Sequence, residues 1–486
     1  MNLVRNYIYN LLYQFLILFI PLISTPYISR VLGPDGIGDY SYTFSVVTFF
    51  VLFGSLGVNI YGQREIAFNQ KNKKKGSIIF WELFFSKAFT LLIALLIYFF
   101  IFLIMPSRYY FLLIIEAIEI LAAVIDISWY FQGLENFKIT IGRNSLVKLS
   151  SLLLMFLIVK NNSHVWLYAL IISGANFLGN LTLWLYLPNY VEKLSFKTIR
   201  LFHNYKTVFA LFIPQIAIQI YTVLDKTMIG AITGIPEENG YYEQSQKVIK
   251  ICIMIITALG TVIIPRIAAF FSEGKMDSVK NYIYKSYQIT GLLGFPVMFG
   301  TVAIVDYIIP WYMGAGYEKS VMLVKIFSLL IIAIGLSSVT GSQYLLPTKR
   351  EKIYTISVIV GACVNTFFNV LFIPIYLSAG AAFASVIAEF SVSAVQISYT
   401  VKNREISLFK ICNSSKKYFF ASIIMYSLLC GLKGICSATV GCSIFLILMG
   451  IIIYVICLLI MRDTLLFACI NKLFEIILAK NCKWRK

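Results

Sequence analysis

Three lysines, Lys226, Lys247 and Lys250, stand inside apolar runs where an isolated charge is costly. Lys226 closes the series Gln215, Gln219, Thr222, Lys226, spaced four, three and four residues apart. At about 100° per residue that series occupies one narrow arc of a helix, with Asp225 on its flank. After the short loop Thr233–Gly240, the next helix carries Glu243, Lys247, Lys250, Thr257 and Thr261 on one face. Ammonium groups act as point charges for phosphate oxygens, and amide and hydroxyl stripes suit sugars. Snorkelling of Lys247 and Lys250 to the outer surface is the competing explanation. Their alignment with two deeper threonines favours a wet cavity. Arg30, at the outer end of the first helix, is either a fork-shaped donor for the same anion or an interface anchor.

The acidic residues divide in the same way. Asp225 is either the partner of Lys226 or of a lysine on the next helix, or a proton- or Na⁺-responsive switch; pairing is the default. Glu119 and Asp126 lie seven apart on one face of the fourth helix. Two such carboxylates suit general acid–base work, yet no nucleophile, metal ligand or Gly-rich phosphate loop accompanies them. Structural pairing, with Lys87 for example, is therefore expected. Glu389, with Ser385, Ser393 and Gln396, forms a further stripe expected to face the cavity of the second half. Pro21, Pro26, Pro214 and Pro265 sit inside or at the ends of matching spans and are hinge candidates, packing irregularity being the plain alternative. The nine cysteines are scattered and only two histidines exist, so no metal site is expected. A bond between Cys436 and Cys442 is the one plausible pairing. No Walker-type phosphate loop occurs, which excludes ATP hydrolysis. No catalytic residue and no cofactor are expected.

The elements that must hold these side chains are membrane helices. Of 486 residues, 59% are hydrophobic and 13% charged, and the mean hydropathy is +0.82. Apolar runs of about 20 residues, the length that crosses a bilayer, recur along the chain. Their continuity excludes a β-barrel, whose strands alternate over ~10 residues. The fold class is an all-α polytopic membrane protein with about fourteen spans. They are placed at 8–30, 38–62, 78–104, 110–131, 145–160, 165–187, 207–231, 241–268, 283–305, 321–341, 353–374, 380–400, 418–434 and 442–461. The net charge of +19 resides mostly in alternate loops, among them Lys71–Lys75, Lys349–Lys352 and Lys402–Lys417. The opposite loops hold only Arg30, Arg108, Lys160, Lys319 and Lys433. This bias puts both termini in the cytoplasm and removes nucleic acid as a partner. Residues 462–486 read as an amphipathic cytoplasmic tail.

The chain also repeats. Helix 1 pairs Pro21 with polar residues as helix 7 pairs Pro214 with Gln215, and 134–180 matches 346–389 in layout. Two pseudo-symmetric six-helix lobes follow, 1–190 and 207–400, joined by a cytoplasmic linker (191–206), with accessory helices over 418–461. Such repeats frame a site near the mid-plane. The longest external loop, Asp306–Ser320, is short for a membrane enzyme acting on a polymer.

Several stretches resemble one family. Ile28-Ser29-Arg30-Val31-Leu32-Gly33-Pro34-Asp35-Gly36-Ile37-Gly38-Asp39-Tyr40-Ser41 is similar to the first-loop signature of Wzx-type polysaccharide repeat-unit flippases. That family belongs to the multidrug/oligosaccharidyl-lipid/polysaccharide exporter superfamily. Asp225-Lys226-Thr227-Met228-Ile229-Gly230, Gly314-Ala315-Gly316-Tyr317 and Gln343-Tyr344-Leu345-Leu346-Pro347-Thr348-Lys349 resemble its later motifs. The resemblance implies a two-lobed V with a cationic central cavity. It also implies transfer of undecaprenyl-diphosphate-linked oligosaccharide to the outer leaflet of the bacterial cytoplasmic membrane, for capsule, O-antigen or exopolysaccharide assembly. The implied partners are that lipid-linked oligosaccharide, membrane lipids, and the polymerase and glycosyltransferases of the same pathway. On this sequence it marks Arg30, Asp39, Asp225 and Lys226, with Asp39 a candidate for ion coupling or pairing. Two other functions compete. An H⁺/Na⁺-coupled multidrug exporter shares the architecture but lacks the Leu-Gly-Pro-x-Gly-x-Gly loop in this form. A membrane-embedded glycan polymerase or ligase needs a large external loop, which the sequence lacks.

Overall fold

One residue breaks the first long helix. Gly33 holds φ 68° and ψ 175°, a backbone region essentially reserved for glycine, inside α1 (Asn2–Ser55). Pro34 follows at the first turn of the second half, where its missing N–H has no intrahelical role. The first two spans are thus two helices that meet at the non-helical Gly33, the first running on through Pro21 and Pro26. The computed structural model describes residues 2–102, 107–192, 200–201, 203, 205–258, 260–433 and 437–467. Cys436 and the tail beyond 467 lie outside the described residues, as do the side chains of Pro214, Gln215 and Thr261.

After Leu56 and Gly57, both at positive φ, come α2 (Val58–Phe68), α3 (Lys73–Phe102), α4 (Tyr110–Ile125) and α5 (Ser128–Gly133). Then follow α6 (Phe137–Ile158), α7 (Val165–Trp184), α8 (Tyr205–Thr233), α9 (Pro236–Thr257) and α10 (Gly260–Ser272). The chain closes with α11 (Met276–Tyr312), α12 (Glu318–Ser337), a π-helical stretch Ser338–Leu345, α13 (Glu351–Tyr376), α14 (Ser378–Lys402), α15 (Leu408–Leu432) and α16 (Val440–Ile460). Every expected span meets a helix. Nine helical segments among the described residues are long and apolar enough to cross a bilayer.

Several expected boundaries change, three of them at breaks within an expected span. The second span ends at Ser55, where Leu56 and Gly57 take positive φ and leave the helical region. The fourth stops at Ile125: Asp126 is extended and accepts the Ser128 N–H at 2.9 Å, a local turn that competes with the helix. The eighth breaks after Thr257, upstream of Pro265, which lies inside α10. The external loop Asp306–Ser320 contracts to Met313–Tyr317, between α11 and α12.

Contacts divide the chain into two units. The first contains 1–247, 313–316 and 365–384; the second contains 248–312, 317–364 and 385–486. In the first, α1 packs against α3, α4, α6 and α8, and α4 lies along α7. Its core joins Phe80, Trp129, Tyr130 and Phe131 in ring contacts, with Gly62 giving Trp129 room. Such aromatic pairs contribute about 0.5–1.5 kcal/mol each beyond area burial. In the second unit, α11 is central and packs against α12, α15 and α16. Apolar side chains also cover outward faces: Leu146, Leu153 and Leu157 of α6 are 71%, 63% and 69% exposed. That face suits acyl chains, where a helix bonds its own backbone and needs no polar cover.

Candidate functional site

Lys226 of α8 and Lys247 of α9 meet on one carboxylate. Glu243 Oε2 takes the Lys226 ammonium in a close ion pair, and Oε1 takes Lys247 at 3.3 Å. All three side chains are largely buried, with 16%, 15% and 28% exposed for Lys226, Glu243 and Lys247. From α1, the Ser41 hydroxyl donates to Glu243 at 3.4 Å, and Ser45 and Thr227 hydroxyls bond at 2.7 Å. Two ammoniums on one carboxylate leave a net single positive charge and satisfy each lysine where an unpaired one would be costly. Glu243 was visible on the helix stripe, but its part in the site was not deduced. The Glu-to-Lys spacing of four, acid first, is the signal that locates it.

Asp225 turns the other way. Its carboxylate accepts the Tyr242 hydroxyl and, at 2.5 Å, the Asn369 amide; the same amide donates to Asn365 Oδ1 at 3.1 Å. The expected Asp225–Lys226 pairing gives way to these neutral donors, because neighbours in a helix point about 100° apart and Glu243 claims the lysine. Asp225 is 1% exposed, Tyr242 0% and Asn369 0%. Neither asparagine was legible as a partner, since Asn369 lies 144 residues downstream.

The glycine-rich segment of α1 explains how α9 is held. A Cβ on Gly38 would fall 1.7 Å from the Pro236 carbonyl oxygen, and one on Gly240 would fall 2.0 Å from that of Pro34. The two backbones cross reciprocally where only hydrogen fits, as small residues allow in membrane helix pairs. The crossing fixes the first turn of α9, whose Glu238 accepts the Ser378 N–H at 3.1 Å and the Ser378 hydroxyl at the start of α14. Asp39 is ion-paired: Arg108 donates to both its oxygens at 2.8 Å and reaches Asp35 at 3.5 Å. Arg30 is exposed, and its side chain runs over Gly314, whose Cβ would approach it at 3.0 Å.

The remaining candidates scatter. Gln219 and Thr222 bond within their own helix, at 3.4 Å between side chains. Glu119 accepts from Asn176 at 2.8 Å, and Asp126, beyond the end of α4, lies 4.0 Å from the buried Lys87. They share no helix face and form no acid–base pair. Sequence reasoning gave no role to the fully buried Glu116, which accepts the Thr43 hydroxyl at 3.0 Å. Lys250 is exposed and, like Glu389, belongs to the second unit. On the stripe of Glu389, which is 4% exposed, Ser393 donates to the Ala333 carbonyl and Gln396 to Ser357. Those two residues tie helices together instead of lining a void. Among the described residues no three His, Cys, Asp or Glu side chains gather as metal ligands.

Comparison with known proteins sets this geometry in context. The chain is 23% identical over 408 residues to a protein named putative O-antigen transporter in Escherichia coli (strain K12), covering 83% of this chain and 98% of that one. A second protein of that name, from Shigella dysenteriae, is 23% identical over 354 residues, covering 72% and 87%. Among solved structures, the lipid II flippase MurJ in an inward closed conformation superposes with a TM-score of 0.75 at 15% identity, over 95% of this chain and all of that one. An inward-facing multidrug resistance MATE family transporter of the MOP superfamily gives 0.59 at 11% identity, over 82% and 96%. These neighbours share the all-α polytopic fold of about fourteen spans. The polysaccharide biosynthesis protein family model matches residues 3–271, more than half of the 486, and the chain belongs to that family.

Proposed function

We propose that the protein is a flippase that carries undecaprenyl-diphosphate-linked oligosaccharide repeat units from the cytoplasmic to the outer leaflet for surface polysaccharide assembly. The observation that carries this reading is the half-buried Lys226–Glu243–Lys247 group between α8, α9 and α1. Its net positive charge, set among Ser41, Ser45 and Thr227, suits a diphosphate bearing sugars. Glu243 acts as a placeholder: it holds both ammoniums until phosphate oxygens replace it, so the empty site never exposes two bare charges to the bilayer. Relatives named for O-antigen transport, and a fold shared with a protein named as a lipid II flippase, support the same substrate class. The site works by binding and release and needs no bond-making residue. Two lobes, 1–190 and 207–400, would rock about the site in the cytoplasmic membrane, with both termini in the cytoplasm and the polyprenyl tail left in lipid.

Leaflet-resolved accumulation of lipid-linked repeat units tests this in cells carrying Lys226→Ala with Lys247→Ala. Units are expected to build up on the cytoplasmic face while the protein remains in the membrane. Undiminished transfer by the double variant overturns the proposal.

A further inference from the structure

The second unit contains a basin of about 660 Å³ that the transport reading does not use. Its wall is made by the start of α11, the residues after α14 and the first turn of α15. Three cations line it: Lys280, Arg404 and Lys410. Among the described residues none of the three enters an ion pair. Of the two lining acids, Glu405 is taken up by Arg350 and by the Tyr344 hydroxyl at 3.0 Å, which leaves Asp277 on the exposed rim. The basin is therefore net positive.

Its wall is also fixed. The Ser407 N–H donates to the Tyr284 hydroxyl at 2.8 Å, tying the start of α15 to α11, and the Lys410 ammonium sits 5.6 Å from the Tyr284 ring centroid. Beside the cations, Leu408 and Phe409 are 51% and 76% exposed. Two candidate membrane spans, Met276–Tyr312 and Ser378–Lys402, have one end each at this basin. Cations facing an aqueous basin, with bare apolar side chains next to them, match an amphiphile and not a soluble anion. We propose that this basin binds the phosphodiester headgroup of an anionic membrane lipid, with the acyl chains running along Leu408 and Phe409. Each basic residue near such a surface strengthens binding about fivefold.

The test is native mass spectrometry of the full chain released from nanodiscs of phosphatidylglycerol mixed with phosphatidylcholine. Wild type is expected to retain phosphatidylglycerol selectively. Lys280→Gln, Arg404→Gln and Lys410→Gln should each lower retention roughly fivefold. A control variant with Lys73 and Lys74 changed to Gln should retain it fully. Equal retention by wild type and the three basin variants overturns the proposal, as does an equal loss in the control. Inorganic phosphate is the second probe. If millimolar phosphate in neutral nanodiscs raises the melting temperature as much as phosphatidylglycerol does, the ligand is a free anion and the lipid assignment falls. Each basin variant changes one surface side chain, and its melting temperature without anionic lipid is expected to match wild type.

Discussion

Lys226 and Lys247 share one charged partner, Glu243, inside the helix layer. Thr222 and Gln219, on the same arc as Lys226, bond to one another along the helix. Polarity at a 3.6-residue period thus marks the two helices that meet here, and charge pairing decides which of their members come together. Asp225 tests the neighbouring network. Its carboxylate satisfies two fully buried donors, and each buried donor left unpaired costs about 1–3 kcal/mol. Asp225→Ala is therefore expected to lower stability by about 2–6 kcal/mol, read as a fall in detergent melting temperature. Asp225→Asn, which keeps one acceptor oxygen, should cost less than half of that. Equal melting temperatures for the two variants would show that the carboxylate does not hold Tyr242 and Asn369 in place. Spacing marks Lys226, Lys247 and Lys250 alike, and only the first two meet on Glu243. Asn365 and Asn369 were not legible, because nothing local to them distinguishes amides that meet a distant carboxylate.

At the scale of elements, the short glycine-rich motif performs two separate tasks that mutation can part. Gly33 supplies a backbone conformation, with open space around its missing side chain. Gly38 and Gly240 supply close approach, with helical backbone and no room. Gly33→Ala is expected to cost about 1–3 kcal/mol of strain and leave a folded protein. Gly38→Ala or Gly240→Ala forces α1 from α9, where overpacking costs about 1–3 kcal/mol or more and displaces Glu243. Transport by the Gly38 or Gly240 variants should fall more steeply than melting temperature, while Gly33→Ala lowers the two together. The reverse ranking would contradict the crossing. Helix existence was legible here, since long apolar runs leave the backbone no other way to satisfy itself in lipid. Helix breaks were less so. The stop at Ile125 depends on an aspartate bonding its own turn, and the stop at Ser55 on two successive residues, Leu56 and Gly57, at positive φ.

Across the whole molecule, hydropathy determines the class, which is why a net charge of +19 does not point to a soluble nucleic-acid binder. The grouping of contacts was not legible in the same way. Residues 365–384 belong with the first unit, through the Asn369–Asp225 and Ser378–Glu238 bonds. A sequence repeat reports descent of segments and says little about which long-range bonds they make. The central claim is that one carboxylate holds two half-buried ammoniums where a diphosphate will bind. Titration of the purified protein with a polyprenyl diphosphate measures this directly. Charge-assisted bonds contribute about 1.5–3 kcal/mol, so Lys226→Ala with Lys247→Ala should weaken binding at least about tenfold. Glu243→Gln, by removing the competing anion, should strengthen it. Unchanged affinity in the lysine variant, or weaker binding in Glu243→Gln, would contradict the claim.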